Sequence, residues 1–192
     1  MTDVIAFFPG QGAQHTGMLS DLAAEFPVVE ETFREASEAI NQDLWALSQN
    51  GPAEDLNLTY NTQPALLTAS VAIWRILKEK CPAMNVVAGA GHSLGEYSAL
   101  VAAGALDFSD AVRLVKKRGQ LMDAAVPAGQ GGMAAVLGLS EEQIADVCAG
   151  AADAGVVEPA NFNAPGQIVI AGSMPAVEKA IELAKEAGAK RA

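Results

Sequence analysis

The chain has 192 residues, 51% of them hydrophobic, enough to bury a core as one domain or as two small ones. Twelve basic against twenty-three acidic residues give a net charge of −11 and a pI near 4.5, which argues against a nucleic-acid partner because phosphate binding needs the opposite field. No apolar run reaches the ~18 residues of a membrane span and no leader pattern opens the chain, so the expectation is a soluble cytoplasmic protein with no membrane contact.

Val4 to Phe8 is a short apolar run ending in Pro9-Gly10-Gln11-Gly12, which predicts a buried strand feeding a glycine loop. Helical patterns follow, broken at Pro27, with a second stretch from Val28 to Ile40, and Asn50-Gly51-Pro52 marks a turn. Thr62 is placed to cap a helix that carries Pro64 in its first turn and Leu66, Ser70, Ile73 and Leu77 along one face. Val86-Val87-Ala88 predicts the next strand, and helix-compatible sequence runs from Glu96 to Ala103.

Between that strand and helix stands Gly91-His92-Ser93-Leu94-Gly95. A bare G-x-S-x-G arises easily by chance in a chain with 18 glycines, but the order strand, G-x-S-x-G, helix is that of a nucleophile elbow. Glycines two before and two after the serine allow a sharp turn with no Cβ where backbone segments crowd. Ser93 Oγ is then exposed at the top of the turn, and the N–H of Leu94, opening the next helix, faces any oxyanion forming there.

The following helix is expected from about Ser109 to Ala124. On a wheel of ~100° per residue Ala111, Val115 and Met122 share its apolar face, while Arg113, Lys116, Lys117 and Gln120 fall on a solvated one. Arg118 falls inside the apolar stripe. An arginine there is either snorkelling, structurally paired, or held to receive a substrate carboxylate through two parallel hydrogen bonds.

Val126-Pro127-Ala128-Gly129-Gln130-Gly131-Gly132 reads as a linker. Beyond it Met133 to Leu139 predicts a strand, and Ser140 with Gln143 forms a capping box. Two further strands, Val156 to Asn161 and Gln167 to Ala171, are joined by Asn163-Ala164-Pro165-Gly166, and Ser173 caps a last helix that ends at Gly188. This β-α-β-β-α order is one strand short of a ferredoxin-like unit, and Lys190-Arg191-Ala192 stands where the last strand would begin, as if the chain were cut. Cys81 and Cys148 are isolated and expected to be buried and inert, and with two histidines they cannot build a conventional zinc site, so no metal is expected.

Three segments together carry a resemblance: Phe8-Pro9-Gly10-Gln11-Gly12-Ala13-Gln14, then Gly91-His92-Ser93-Leu94-Gly95-Glu96-Tyr97-Ser98-Ala99-Leu100, and Asn161-Phe162-Asn163-Ala164-Pro165-Gly166-Gln167. In this order and spacing the whole chain resembles the malonyl-CoA:acyl carrier protein transacylases of bacterial type II fatty acid synthesis. The acyltransferase domains of polyketide synthases share the first two segments. The resemblance implies an α/β fold, with an α/β-hydrolase-like parallel-sheet subdomain at residues 1–126 and a ferredoxin-like small subdomain, its last strand missing, at 127–192. It implies that Ser93 carries malonyl as an ester, that Gln11 and the Leu94 amide form the oxyanion hole, and that Arg118 pairs with the malonyl carboxylate. Gln63 and Asn163 match polar residues lining the same pocket. The implied reaction is ping-pong transfer from malonyl-CoA to the phosphopantetheine thiol of acyl carrier protein, with no cofactor beyond the coenzyme A thioester.

The resemblance also places the catalytic histidine downstream of position 192, so a fragment with impaired activity is expected. His92 precedes the nucleophile, where neighbouring side chains diverge; it is counted with the substrate-binding residues and read as packing or bonding the backbone rather than as a base. Three alternatives stand beside this reading. A thioesterase-like serine hydrolase would send the acyl group to water and have no use for the Arg118 clamp. A non-catalytic module would dock an acidic carrier protein on Arg113, Lys116 and Lys117. A dinucleotide site at Gly10-x-Gly12 is weakened by His15 standing where the third glycine belongs.

Overall fold

The expected first strand forms as β1 (Thr2–Phe8) and lies parallel to β2 (Met84–Gly91), with Phe8 opposite Gly91. In this computed structural model residues 2–127 and 129–192 are described; Ala128, in the expected linker, lies outside the described residues. Between the two strands run α1 (Ser20–Glu25), α2 (Val28–Ile40), α3 (Leu44–Asn50), α4 (Ala53–Leu56) and α5 (Thr59–Lys80). After β2 come α6 (Leu94–Ala102) and α7 (Phe108–Ala125). These elements form one of two compact units, Met1–Ala124, and Ala125–Ala192 is the other.

In the first unit α5 is the central element. Every residue from Asn61 to Ala72 is buried, which requires an apolar helix whose polar members find partners inside. Three of them bond backbone carbonyls: Asn61 Nδ2 donates to the Asp55 carbonyl at 2.9 Å, Thr62 Oγ1 to that of Leu56 at 2.6 Å, and Thr68 Oγ1 to that of Pro64 at 2.7 Å. Thr62 is therefore not the cap. The helix starts one turn earlier because the Leu58 carbonyl takes the amides of both Asn61 and Thr62 at 2.8 Å, and Pro64 falls in the second turn. The core around α5 joins Phe33, Leu44, Leu56, Leu67, Leu94, Val112 and Val115. Phe33 is fully buried with its ring 5.0 Å from that of Trp45. Phe33→Ala is expected to lower unfolding stability by about 3–5 kcal/mol, the usual cost of emptying such a site, read from urea melts.

β1 is not the buried strand its apolar run predicts: only Phe8 in it is buried, while Ile5, Phe7 (77% exposed) and, on β2, Val87 are exposed. Cys81 is exposed rather than buried, because it caps the C-terminus of α5 beyond the core. Cys148 is buried as expected, and burial together with the charge of Glu158 pushes its thiol up from the ordinary value.

The second unit holds β3 (Gly131–Leu137), α8 (Glu141–Gly150), β4 (Val157–Ala164), β5 (Gln167–Ser173) and α9 (Met174–Glu186). Its sheet is antiparallel in the order β3-β5-β4, covered by α8 and α9 through Val136, Ile144, Ile168, Ile170, Val177 and Ala180. Gly131 and Gly132, expected in the linker, open β3; a Cβ at Gly132 would stand 2.4 Å from Met174 Sδ. The Ser140–Gln143 capping box forms, whereas the Ser173 hydroxyl, at the α9 N-cap, donates to the Val156 carbonyl instead of capping. β4 runs three residues further than expected, leaving Pro165-Gly166 as a two-residue turn with Gly166 at φ +72°. Leu137 exchanges two 2.8 Å backbone hydrogen bonds with Lys190 and Arg191, so a further antiparallel bridge begins at the edge of β3.

Candidate active site

Because β1 and β2 are parallel, the loops leaving their C-terminal ends emerge at one edge of the sheet. The loop after β1 carries Gln11, and the turn after β2 carries Ser93. The two are packed together: the His92 amide donates to the Phe8 carbonyl at 3.3 Å, and a Cβ at Gly10 would stand 2.8 Å from the His92 carbonyl oxygen. Gln14 holds the first loop in shape, accepting from the Gly12 amide and donating to Asn57 Oδ1, both at 2.8 Å. Gln11 itself is exposed at this edge.

Ser93 is at φ +52°, ψ −102°, a conformation that a non-glycine residue adopts only where its surroundings impose it. The surroundings are the flanking glycines. A Cβ at Gly91 would stand 1.9 Å from the Gly95 carbonyl carbon, and one at Gly95 would stand 2.2 Å from the Phe8 carbonyl oxygen. Both contacts are backbone against backbone, so no rotamer change relieves them. Gly95→Ala is expected to lower the thermal midpoint, at a cost of about 3 kcal/mol or more, and to remove Ser93 labelling by a fluorophosphonate. Leu94 is the first residue of α6, so its amide is among those a helix N-terminus leaves without an intrahelical acceptor.

Arg118 comes to this serine from α7. Its Nη2 donates to Ser93 Oγ at 2.9 Å and its Nη1 to Gln63 Oε1 at 2.7 Å. Gln63 is 1% exposed and also donates through Nε2 to Met122 Sδ at 3.2 Å. The Tyr97 ring lies under the guanidinium at 5.6 Å. Ser93, Arg118 and Gln63 are thus brought together, with Gln11, Leu94 and His92 at the same edge. Asn163 belongs to the second unit, near the end of β4, where it is the extra residue of a bulge between the pairs Phe162–Ile168 and Ala164–Gln167.

Two parts of the helical wheel need correcting. The buried stripe of α7 is Phe108, Ala111, Val112, Val115 and Gly119, while Met122 is exposed; a glycine adds nothing to an apolar pattern, so its burial was invisible there. Lys116 does not stand on a solvated face. It is half-buried, bonded to Gln42 and 5.3 Å over the Tyr60 ring, and burial holds its ammonium below the ordinary lysine value. Arg113 is paired with Asp110, so the basic docking face reduces to Lys117 as its one exposed, unclaimed member among these three. Tyr97 escaped the sequence reading, although its place four residues after Ser93 on the elbow helix puts the two on one face.

Among the described residues no group of three or more His, Cys, Asp and Glu side chains is arranged to hold a metal ion, and no helix is long and apolar enough to cross a membrane.

Comparison with known proteins places this geometry in context. The acyl transferase domain family matches residues 6–192. The malonyl CoA-acyl carrier protein transacylase of Escherichia coli (strain K12) is 60% identical over 195 residues, an alignment that covers 100% of this chain and 62% of that protein. An acyl carrier protein S-malonyltransferase from Vibrio cholerae superposes with a TM-score of 0.91 at 60% identity, covering 97% of this chain and 61% of that one. A malonyl-transacylase solved in complex with a type II polyketide synthase acyl-carrier protein superposes at 0.94 with 56% identity, covering 99% and 61%. The chain therefore spans about three fifths of the length of these relatives.

Proposed function

We propose that this chain, which belongs to the acyl transferase domain family, takes malonyl from malonyl-CoA onto Ser93 and passes it to the phosphopantetheine thiol of an acyl carrier protein. One observation carries the reading: a guanidinium fixed by buried Gln63 reaches the elbow serine itself, at 2.9 Å. A neutral acyl group has no use for that charge. A malonyl ester does, because a single methylene separates its ester carbonyl from its carboxylate, so the carboxylate must lie within a few bond lengths of Ser93 Oγ. Nη2, released from the serine, then binds the carboxylate beside Nη1 in a charge-assisted pair.

In the first half-reaction Ser93 Oγ loses its proton to a base and attacks the thioester carbonyl. The resulting oxyanion is received by the Leu94 amide and the Gln11 amide side chain, and coenzyme A departs as its thiol. In the second the carrier thiol attacks the ester, the same donors hold the second oxyanion, and Ser93 Oγ leaves with a proton. His92, packed on Gly10, stands beside the nucleophile at the same edge. The overall identity to named malonyl transacylases supports the choice of donor and acceptor. The same reading makes the first unit α/β-hydrolase-like and the second ferredoxin-like, the latter supported by the strand order Arg191-β3-β5-β4.

The test separates transfer from hydrolysis. Chain loaded with malonyl-CoA and freed of nucleotide is mixed with holo or apo carrier protein. Malonyl is expected to move to the holo carrier alone, by intact mass. Release as free malonate at the same rate with either carrier would make the protein a hydrolase.

A further inference from the structure

Arg118 stands on α7 where that helix comes very close to the start of α5, and Gly119 meets the backbone of Thr59 and Tyr60 there. Gly119, beside Arg118, is buried in the middle of α7, where glycine weakens a helix and no positive φ calls for it. An ideal Cβ at 119 would stand 2.5 Å from Tyr60 Cα, 2.7 Å from Tyr60 N and 2.9 Å from the Thr59 carbonyl carbon. All three are backbone atoms of the first turn of α5, which cannot swing aside as a side-chain tip can. The ring of the same tyrosine lies under Lys116 at 5.3 Å, and Lys116 is bonded in turn to Gln42, which donates to Asn61 Oδ1 at 2.9 Å. Tyr60 thus takes α7 at two points that bracket Arg118, its backbone one residue after and its ring two residues before. Gln63, which holds the guanidinium, follows Tyr60 by three residues on the same helix.

We infer that Tyr60 and Gly119 are positioning residues that seat α7 at the depth where Arg118 recognises the acyl carboxylate. The inference rests on the proposed role of Arg118. A methyl group at 119 must move α7 outward by about 1 Å to restore ordinary contact distances. That displacement stretches the 2.7 Å bond to Gln63 past hydrogen-bonding length and withdraws the guanidinium from the reacting end of the substrate. Malonyl-over-acetyl preference is therefore set partly by a glycine that touches no substrate atom.

The experiment measures binding of the methylene-for-sulfur analogues of malonyl-CoA and acetyl-CoA, which cannot acylate Ser93, by calorimetry on the chain and its variants. The unaltered chain is expected to favour the malonyl analogue, and Arg118→Ala to erase that preference. Since a misplacement of ~1 Å can cost about a hundredfold, Gly119→Ala is expected to cut the preference at least about tenfold. Tyr60→Ala, which removes the ring and keeps the backbone, is expected to cut it several-fold. Acetyl-analogue binding should stay unchanged in both, and neither substitution should alter binding in an Arg118→Ala background, a pattern that mere loss of stability does not produce. Retained preference in folded Gly119→Ala overturns the inference. If that variant does not fold, retained preference in Tyr60→Ala overturns it. An unaltered chain that binds both analogues alike removes the Arg118 reading and this inference with it.

Discussion

Ser93→Ala is expected to give no covalent malonyl adduct on incubation with malonyl-CoA, where the proposed function predicts one at Ser93 in the parent chain. Without the hydroxyl no ester can form at position 93, and the oxyanion donors have nothing to act on. The variant should fold as the parent does. Ser93 is exposed, its strained backbone is imposed by the glycine contacts at 91 and 95, and its hydroxyl bonds only the outer nitrogen of Arg118 among the hydrogen bonds described. Intact mass after a fixed incubation reads the result, with unchanged circular dichroism as the folding control. An adduct that persists in Ser93→Ala, or that maps by peptide digestion to exposed Cys81, would remove the elbow from the mechanism.

How much of this was legible in the residues depends on what each feature needs from a distance. The elbow was readable because its constraint is local. A strand, two glycines at fixed offsets and a helix suffice to require crowding at Gly91 and Gly95, and the backbone clashes found there are the ones expected. The capping box at Ser140 is local in the same way. Thr62 looked equally suited to cap, but its hydroxyl is taken by the Leu56 carbonyl, and the preceding turn is held by Leu58, a residue with no polar side chain to announce it. Ser173 failed for a similar reason, with the carbonyl of Val156, the residue just before β4, competing for its hydroxyl.

The site shows the same division. Arg118 stood out because a charge in an apolar stripe demands a partner, but the stripe did not say which one. Buried Gln63 supplies it from 55 residues away in sequence. Lys116 was misplaced on a solvated face for the converse reason. The ring of Tyr60 and the amide of Gln42 make a half-buried ammonium tolerable, and neither belongs to its own helix. Gly119 gave no pattern signal at all, since periodicity counts apolar bulk and the contact at this position depends on its absence.

Arg118→Ala tests the part of the site that distinguishes one acyl group from another. With malonyl-CoA the substitution removes both donors of a charge-assisted pair to the substrate carboxylate, worth about 2–3 kcal/mol, so loading of Ser93 is expected to fall roughly 30- to 150-fold. With acetyl-CoA there is no carboxylate to lose. Loading should then change little or rise, because the variant no longer strands an unpaired guanidinium beside an apolar methyl group. The substitution also leaves Gln63 Oε1 buried without its donor, a cost of about 1–3 kcal/mol that falls on stability and burdens both substrates alike. The ratio of the two loading rates cancels that common loss and isolates recognition. Arg118→Lys keeps the charge but offers one ammonium where two nitrogens now divide between Gln63 and Ser93, so it should recover only part of the ratio. Equal losses for malonyl and acetyl in Arg118→Ala would mean that the guanidinium serves the serine itself rather than the acyl group, and the carboxylate clamp would be lost from the mechanism.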